Sequence, residues 1–176
     1  MSKKIFFVMG VSGCGKSSIG EGISSYLSID YIDSDTYHPA SNVEKMKNGI
    51  PLTDEDRKPW LDTLNKLATE CIEKKQSIVI ASSCLKPSYR KRLQQNIEEK
   101  VVFIYLKGSF EKINERMKQR KDHYFSGEDM LKSQFASLVE PEDGESIDFI
   151  QVEIDQLNIQ ETINSALNLL KAKAYI

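Results

Sequence analysis

The chain has 176 residues, enough for one domain with a sizeable core. Its 24 Lys and Arg stand against 26 Asp and Glu, a formal net charge of −2, so no general field draws nucleic acid or an anionic membrane. Three widely spaced cysteines, Cys14, Cys71 and Cys84, form no C-x-x-C pair and predict free thiols in a reducing, cytoplasmic setting rather than a disulfide framework.

Strands and helices alternate along the chain. Ile5–Met9 reads as a first strand; its apolar run is too short for a signal peptide and suits a buried β-strand. Lys16–Leu27 reads as a helix, Tyr31–Asp33 as a short strand, and residues near Asn42–Lys47 as a short helix. Leu61–Lys74 is a longer helix, with Leu61, Leu64, Leu67, Ala68 and Cys71 at helical spacing. Ile78–Ala81 is a continuous apolar strand, Tyr89–Asn96 a helix, and Val101–Leu106 the fourth strand. Phe110–Lys121 and Asp129–Leu138 are helices, Phe149–Ile154 the fifth strand, and Glu161–Lys173 a closing helix. The β-α repeat predicts an α/β fold with a parallel sheet and right-handed crossovers. No stretch approaches the length of a membrane span.

Between the first strand and first helix lies Gly10-Val11-Ser12-Gly13-Cys14-Gly15-Lys16-Ser17, a complete G-x-x-x-x-G-K-S phosphate-binding loop. A strand-loop-helix context aims successive backbone N–H groups inward and adds the positive end of a helix. Glycines allow positive φ and close approach of the backbone to phosphate. Lys16 is predicted to reach the β- and γ-phosphates, Ser17 to ligate Mg²⁺, and Ser18 to complete the nucleotide contacts. Cys14 lies within the loop at a helix N-terminus, which favours thiolate; the alternative is an inert small filler.

Other phosphate-loop classes lack their marks here. A motor ATPase ends a strand in Asp or Asp-Glu, but the third strand ends Ala81-Ser82-Ser83. A GTPase carries Asp-x-x-Gly and Asn-Lys-x-Asp, and neither occurs. Asp33-Ser34-Asp35 does occur, at the end of the second strand, beside the loop in the ligand crevice of a parallel sheet. Asp33 is predicted to hold Mg²⁺ and Asp35 to accept a hydrogen bond from an attacking hydroxyl. The alternative is that these aspartates only cap a turn.

The chain resembles the gluconokinases, small kinases related in fold to shikimate and nucleoside monophosphate kinases. The resemblance runs from Met9 to about Gln156. It rests on the phosphate loop, on Asp33-Ser-Asp-Thr-Tyr-His-Pro39, and on the stretch from Asn42 to Leu61 that contains Thr53-Asp-Glu-Asp-Arg-Lys-Pro-Trp60. Ser82-Ser-Cys-Leu-Lys-Pro-Ser-Tyr-Arg90, Tyr105-Leu-Lys-Gly108, Arg120-Lys-Asp-His-Tyr-Phe125, Ser133-Gln-Phe135 and Glu140-Pro141 extend it. It implies ATP-dependent phosphorylation of the 6-hydroxyl of D-gluconate, a five-stranded sheet in the order 2-3-1-4-5, a lid at about residues 121–127, and often a homodimer. The family usually has Gly where this chain has Ser34, Ala where it has Cys84, and Gly where it has Asp122.

Within that resemblance Arg57 is a candidate for the substrate carboxylate, since a guanidinium fork matches it bidentately; the alternative is a surface pair with Asp54 or Glu55. Lys86 and Arg90 follow the third strand on the crevice side, as substrate cations or a solvated helix face. His38 is a candidate donor to a substrate hydroxyl, or a turn residue before Pro39. Arg120 is expected to meet charge on the transferred phosphoryl group, with His123 on the substrate side. Arg116 is expected near the nucleotide or complementing a helix C-terminus, and Gln156 in the adenine-side loop. A shikimate kinase is the nearest enzyme alternative, although the glycine-rich loop that family carries after its third strand is missing at Ala81-Ser82-Ser83-Cys84. A non-catalytic nucleotide-binding switch is the alternative from another class.

Overall fold

The computed structural model describes residues 2–119 and 127–176. Five strands form one all-parallel sheet: β1 (Ile5–Met9), β2 (Asp30–Asp33), β3 (Ile78–Ala81), β4 (Val101–Lys107) and β5 (Asp148–Glu153), in the spatial order β2-β3-β1-β4-β5. This is the order that the resemblance implied. Every side chain of β1 is fully buried, as a central parallel strand covered on both faces requires.

The two-residue period of β1 and β4 divides the interior. Phe6, Val8, Val102, Ile104 and Leu106 face one core, with α1 (Lys16–Leu27), α5 (Phe110–Lys118), α6 (Gly127–Ser137) and α7 (Ile159–Ala172) packed over it. Ile5, Phe7, Met9, Val101, Phe103 and Tyr105 face the other, under α3 (Asp54–Glu73) and α4 (Pro87–Gln94). Phe7 and Phe103 stack across neighbouring strands at 5.4 Å. The short α2 (Ala40–Lys47) lies between β2 and α3 in the chain.

Helix boundaries depart from apolar periodicity where capping decides them. Helix α3 begins at Asp54 rather than Leu61, because Thr53 and Asp56 form a reciprocal capping box and the first turn carries Asp54, Glu55 and Asp56. Pro59 sits inside it, ahead of the first buried residue, Trp60. Helix α4 starts at Pro87, a residue pre-set for the first helical turn. Residues Ser34–Tyr37 form a 3₁₀ turn capped by Asp33, which periodicity does not predict. No described helix is long and apolar enough to cross a membrane.

This topology decides where chemistry can occur. From β1 the chain turns toward β3 and β2; from β3 it crosses back to β4 and β5. Loops at the carboxyl ends of β1, β2 and β3 therefore converge on one crevice. Gly10 N–H donates to Ser83 O at 3.2 Å, which joins the loops after β1 and β3 directly.

Candidate active site

The loop after β1 has the shape of an anion cradle. Gly13 and Gly15 take φ of +80° and +98°. A Cβ on Gly13 would lie 2.5 Å from Met117 Cγ, so glycine lets α5 pack against the loop. Gly15 precedes α1; no described side chain caps that helix, and its first turn carries no acidic residue. Its leading N–H groups are thus left to a phosphate. Lys16 Nζ folds back over the loop and donates to Val11 O at 3.0 Å. Ser12 N–H donates to Gln134 Oε1 from α6. Cys14 is 4 % exposed, with its thiol beneath Gly10. That placement matches the small filler, and its backbone is what the loop presents.

Asp33 caps the turn and also faces Ser17. Its Oδ1 accepts from Asp35 N–H at 2.9 Å and caps the 3₁₀ turn, while Oδ2 accepts from Ser17 Oγ at 3.5 Å. Asp35 lies next to this pair. Its carboxylate touches solvent, yet the crevice walls displace enough water to raise its pKa; Asp33 adds to the rise, and Lys16 and His38 oppose it. His38 is shifted downward, by burial first and then by Arg57, with Asp35 pulling the other way, so its imidazole is neutral at neutral pH. The His38 ring stacks on Trp60 at 4.2 Å. Trp60 Nε1 donates to Ser34 O at 2.8 Å, so one buried indole supports both His38 and the turn that carries Asp35.

Across the crevice α3 and α4 bring two cations together. Arg57 donates to Leu52 O at 2.9 Å and to Tyr89 Oη at 3.2 Å. Lys86 Nζ donates to Asp54 Oδ1 at 3.1 Å, and Tyr89 also donates to that carboxylate. Asp54 is held below its ordinary pKa by the Tyr89 hydrogen bond and then by Lys86. The Arg57–Asp54 pair expected as the alternative exists at 3.9 Å, at the edge of contact. Sequence reasoning did not single out Tyr89, although Lys86, Tyr89 and Arg90 at helical spacing carry that signal.

Arg90 departs from the expectation of a substrate cation. It is fully buried, its guanidinium forks onto Glu145 at 2.7 Å through Nε and Nη2, and it donates to Cys84 O and Val139 O. With four donors engaged and no exposed surface it is a structural keystone, tying α4 to the loop after α6. Arg116 donates to Ile154 O at 2.7 Å and Leu157 O at 2.9 Å, so it frames the loop that presents exposed Gln156. Ser18 is half-buried in the first turn of α1. Arg120, His123 and all of the expected lid except Gly127 lie outside the described residues.

The family model for shikimate kinase matches residues 12–171. The chain is 40 % identical to the thermoresistant gluconokinase of Escherichia coli over 95 % of its own length and 93 % of that enzyme's. It is 35 % identical to a gluconokinase of Arabidopsis thaliana over 91 % and 90 %. A crystal structure of a gluconokinase from Sinorhizobium meliloti superposes with a TM-score of 0.85 at 34 % identity, covering 99 % of this chain and 94 % of that one. A shikimate kinase from Acinetobacter baumannii shares the fold, with a TM-score of 0.61 at 17 % identity. A phosphate loop facing paired aspartates, and relatives this similar over nearly the whole length, make the chain a member of the gluconokinases, within the wider shikimate-kinase type of phosphate-loop kinases.

Proposed function

We propose that this protein transfers the γ-phosphoryl group of ATP to the 6-hydroxyl of D-gluconate, as a single kinase domain. One arrangement carries the reading: Ser17, Asp33 and Asp35 lie together beside the phosphate loop, and His38, which feels both Asp35 and Arg57, links them to a cationic pair, Arg57 and Lys86, that suits a carboxylate. A linear sugar acid presents a terminal hydroxyl at one end and a carboxylate at the other, and spans such a site.

Each residue then has a physical task. The loop N–H groups and Lys16 hold the polyphosphate, and Lys16 meets the charge that develops as the bond to the leaving ADP oxygen breaks. Asp35 aligns the 6-hydroxyl and takes its proton as the new O–P bond forms. His38, neutral on its indole platform, offers a hydrogen bond to a neighbouring hydroxyl. Arg57 and Lys86 bind the carboxylate, with Tyr89 holding the guanidinium in place. Ser17 Oγ and Asp33 Oδ2, two hard oxygens side by side, fit Mg²⁺, which supplies charge neutralisation on the β- and γ-phosphates when bound. Catalysis is positioning and electrostatics, with no covalent intermediate.

The three cysteines form no disulfide, which supports a reducing, cytoplasmic setting, and the family supports a homodimer, checked by light scattering. ADP release should be measured with D-gluconate, shikimate, other aldonates and nucleoside monophosphates as acceptors. D-gluconate is expected to lead shikimate by at least about a hundredfold in kcat/KM, because a site built for polar groups rejects analogues that leave them unpaired. Equal turnover on shikimate overturns the assignment.

A further inference from the structure

We propose that Gln134 is a positioning residue for this phosphoryl transfer, fixing the crest of the phosphate loop to the helix that also anchors the acid-side loop. The proposal deepens the kinase reading above and rests on it. Gln134 and Ser12 are 122 residues apart, and the Gln134 Oε1 to Ser12 N–H bond is a direct tie between α6 and the loop. A half-buried backbone N–H needs an acceptor. Here the acceptor is a side chain from another element.

Helix α6 is held at both ends of this link. Leu131 is fully buried, and Phe135 packs edge-on against Phe110 of α5 at 5.8 Å. One turn beyond Gln134, Leu138 N–H closes on Gln134 O at 2.8 Å. Val139 then donates to Leu85 O at 2.9 Å and accepts from Arg90 at 3.0 Å. Leu85 precedes Lys86, one of the two carboxylate cations. From Ser12 to Lys86 the path is therefore a side-chain bond, one helical turn and a backbone bond. Met117 of α5 packs under Gly13, so the crest is seated on two helices at once.

The identity of the side chain matters as much as its place. A carboxamide offers an oxygen to Ser12 with no net charge. A glutamate would offer the same oxygen and set a negative charge beside the polyphosphate. Gln134 thus satisfies the loop at no electrostatic cost to nucleotide binding, a constraint that a merely space-filling residue would not obey.

Two variants test this. In Gln134→Ala, the Ser12 amide, read by hydrogen exchange without ligands, is expected to exchange about tenfold faster, the loss of one hydrogen bond. In the same variant kcat falls about tenfold while the gluconate KM stays within about twofold. In Gln134→Glu, Ser12 protection stays at the wild-type level, while a non-hydrolysable ATP analogue binds at least about tenfold more weakly in equilibrium titration. Wild-type Ser12 exchange in Gln134→Ala, or unchanged analogue affinity in Gln134→Glu, overturns the proposal. So does a loss of activity that merely parallels a fall in Tm. If Gln134→Ala does not fold, Gln134→Glu decides alone, since it keeps the acceptor. If wild-type protein shows no gluconate-stimulated turnover, the acceptor assignment fails, and the exchange and analogue-binding measurements still judge Gln134.

Discussion

As the proposed base, Asp35 can take the hydroxyl proton only when ionised, and its surroundings raise its pKa above the ordinary 3.8. On that proposal activity is expected to be full above the raised value and to fall as pH drops through it. We expect the acidic limb of kcat/KM for the sugar acid to lie above the ordinary carboxylate range and to vanish in Asp35→Asn. That variant should lose about 10²- to 10⁴-fold in kcat with nucleotide affinity intact, the range for removing a positioned acid-base group. A near-normal kcat would reassign the base. The cysteines give a second residue-scale result. Cys14 and Cys84 are 4 % and 3 % exposed, and burial pushes the Cys84 thiol up to about 12. Cys71 is only half-buried. Cys71 should label first with a thiol reagent, with activity retained, and Cys14 only on unfolding; rapid Cys14 labelling blocked by MgATP would contradict the burial.

Two elements hold the site by their ends. The start of α3 is stitched to α2 by Lys45, which donates to both oxygens of Asp56, while Asp56 also accepts from Thr53 N–H. The Lys45 bond first, then the Thr53 bond, lowers the Asp56 pKa from 3.8 to about 2. A depressed folded-state pKa contributes stability above the unfolded value that is lost as pH falls through the folded one. The Tm gap between wild type and Asp56→Asn should therefore be open above about pH 4 and close toward about pH 2. A gap independent of pH would place the effect elsewhere. At α4, removing Arg90 leaves the half-buried Glu145 carboxylate and the buried Cys84 carbonyl without their donor. Arg90→Ala should cost about 3 kcal/mol in urea denaturation, and Arg90→Lys should recover little, since an ammonium cannot reproduce the fork.

At the scale of the whole molecule, the crevice joins loops from three strands and two helices, so a ligand bound there holds distant parts of the chain together. Ligands that bind only the folded state stabilise it by mass action, about 2.7 kcal/mol at a hundredfold excess over Kd. For a protein of this size that corresponds to a Tm rise of about 5–10 °C. We expect such a rise with MgATP, a further one on adding D-gluconate, and none with shikimate. A shikimate shift equal to that with gluconate would argue for a different acceptor.

Local signals in the chain were enough for the α/β class, the phosphate loop and the run of strands. Apolar runs of period two and helices of period 3.6 are properties of neighbouring residues, and the G-x-x-x-x-G-K-S spacing is complete within eight positions. Asp33 and Asp35 were legible because the end of a parallel strand has a known relation to the crevice. The sheet order came from family resemblance, and the register of five strands agrees with it. The early start of α3 was legible in principle from Thr53 and Asp56 but lay ahead of the apolar pattern. The fate of individual cations was not. Lys86 and Arg90 lie four residues apart with similar composition around them, yet one is partly exposed at the crevice and the other fully buried. What separates them is Glu145, 55 residues further on, together with the Val139 carbonyl. The same holds for Gln134 on Ser12 and Trp60 beneath His38. Long-range partners choose between a ligand-facing and a structural role, and those partners meet only when the sheet has assembled.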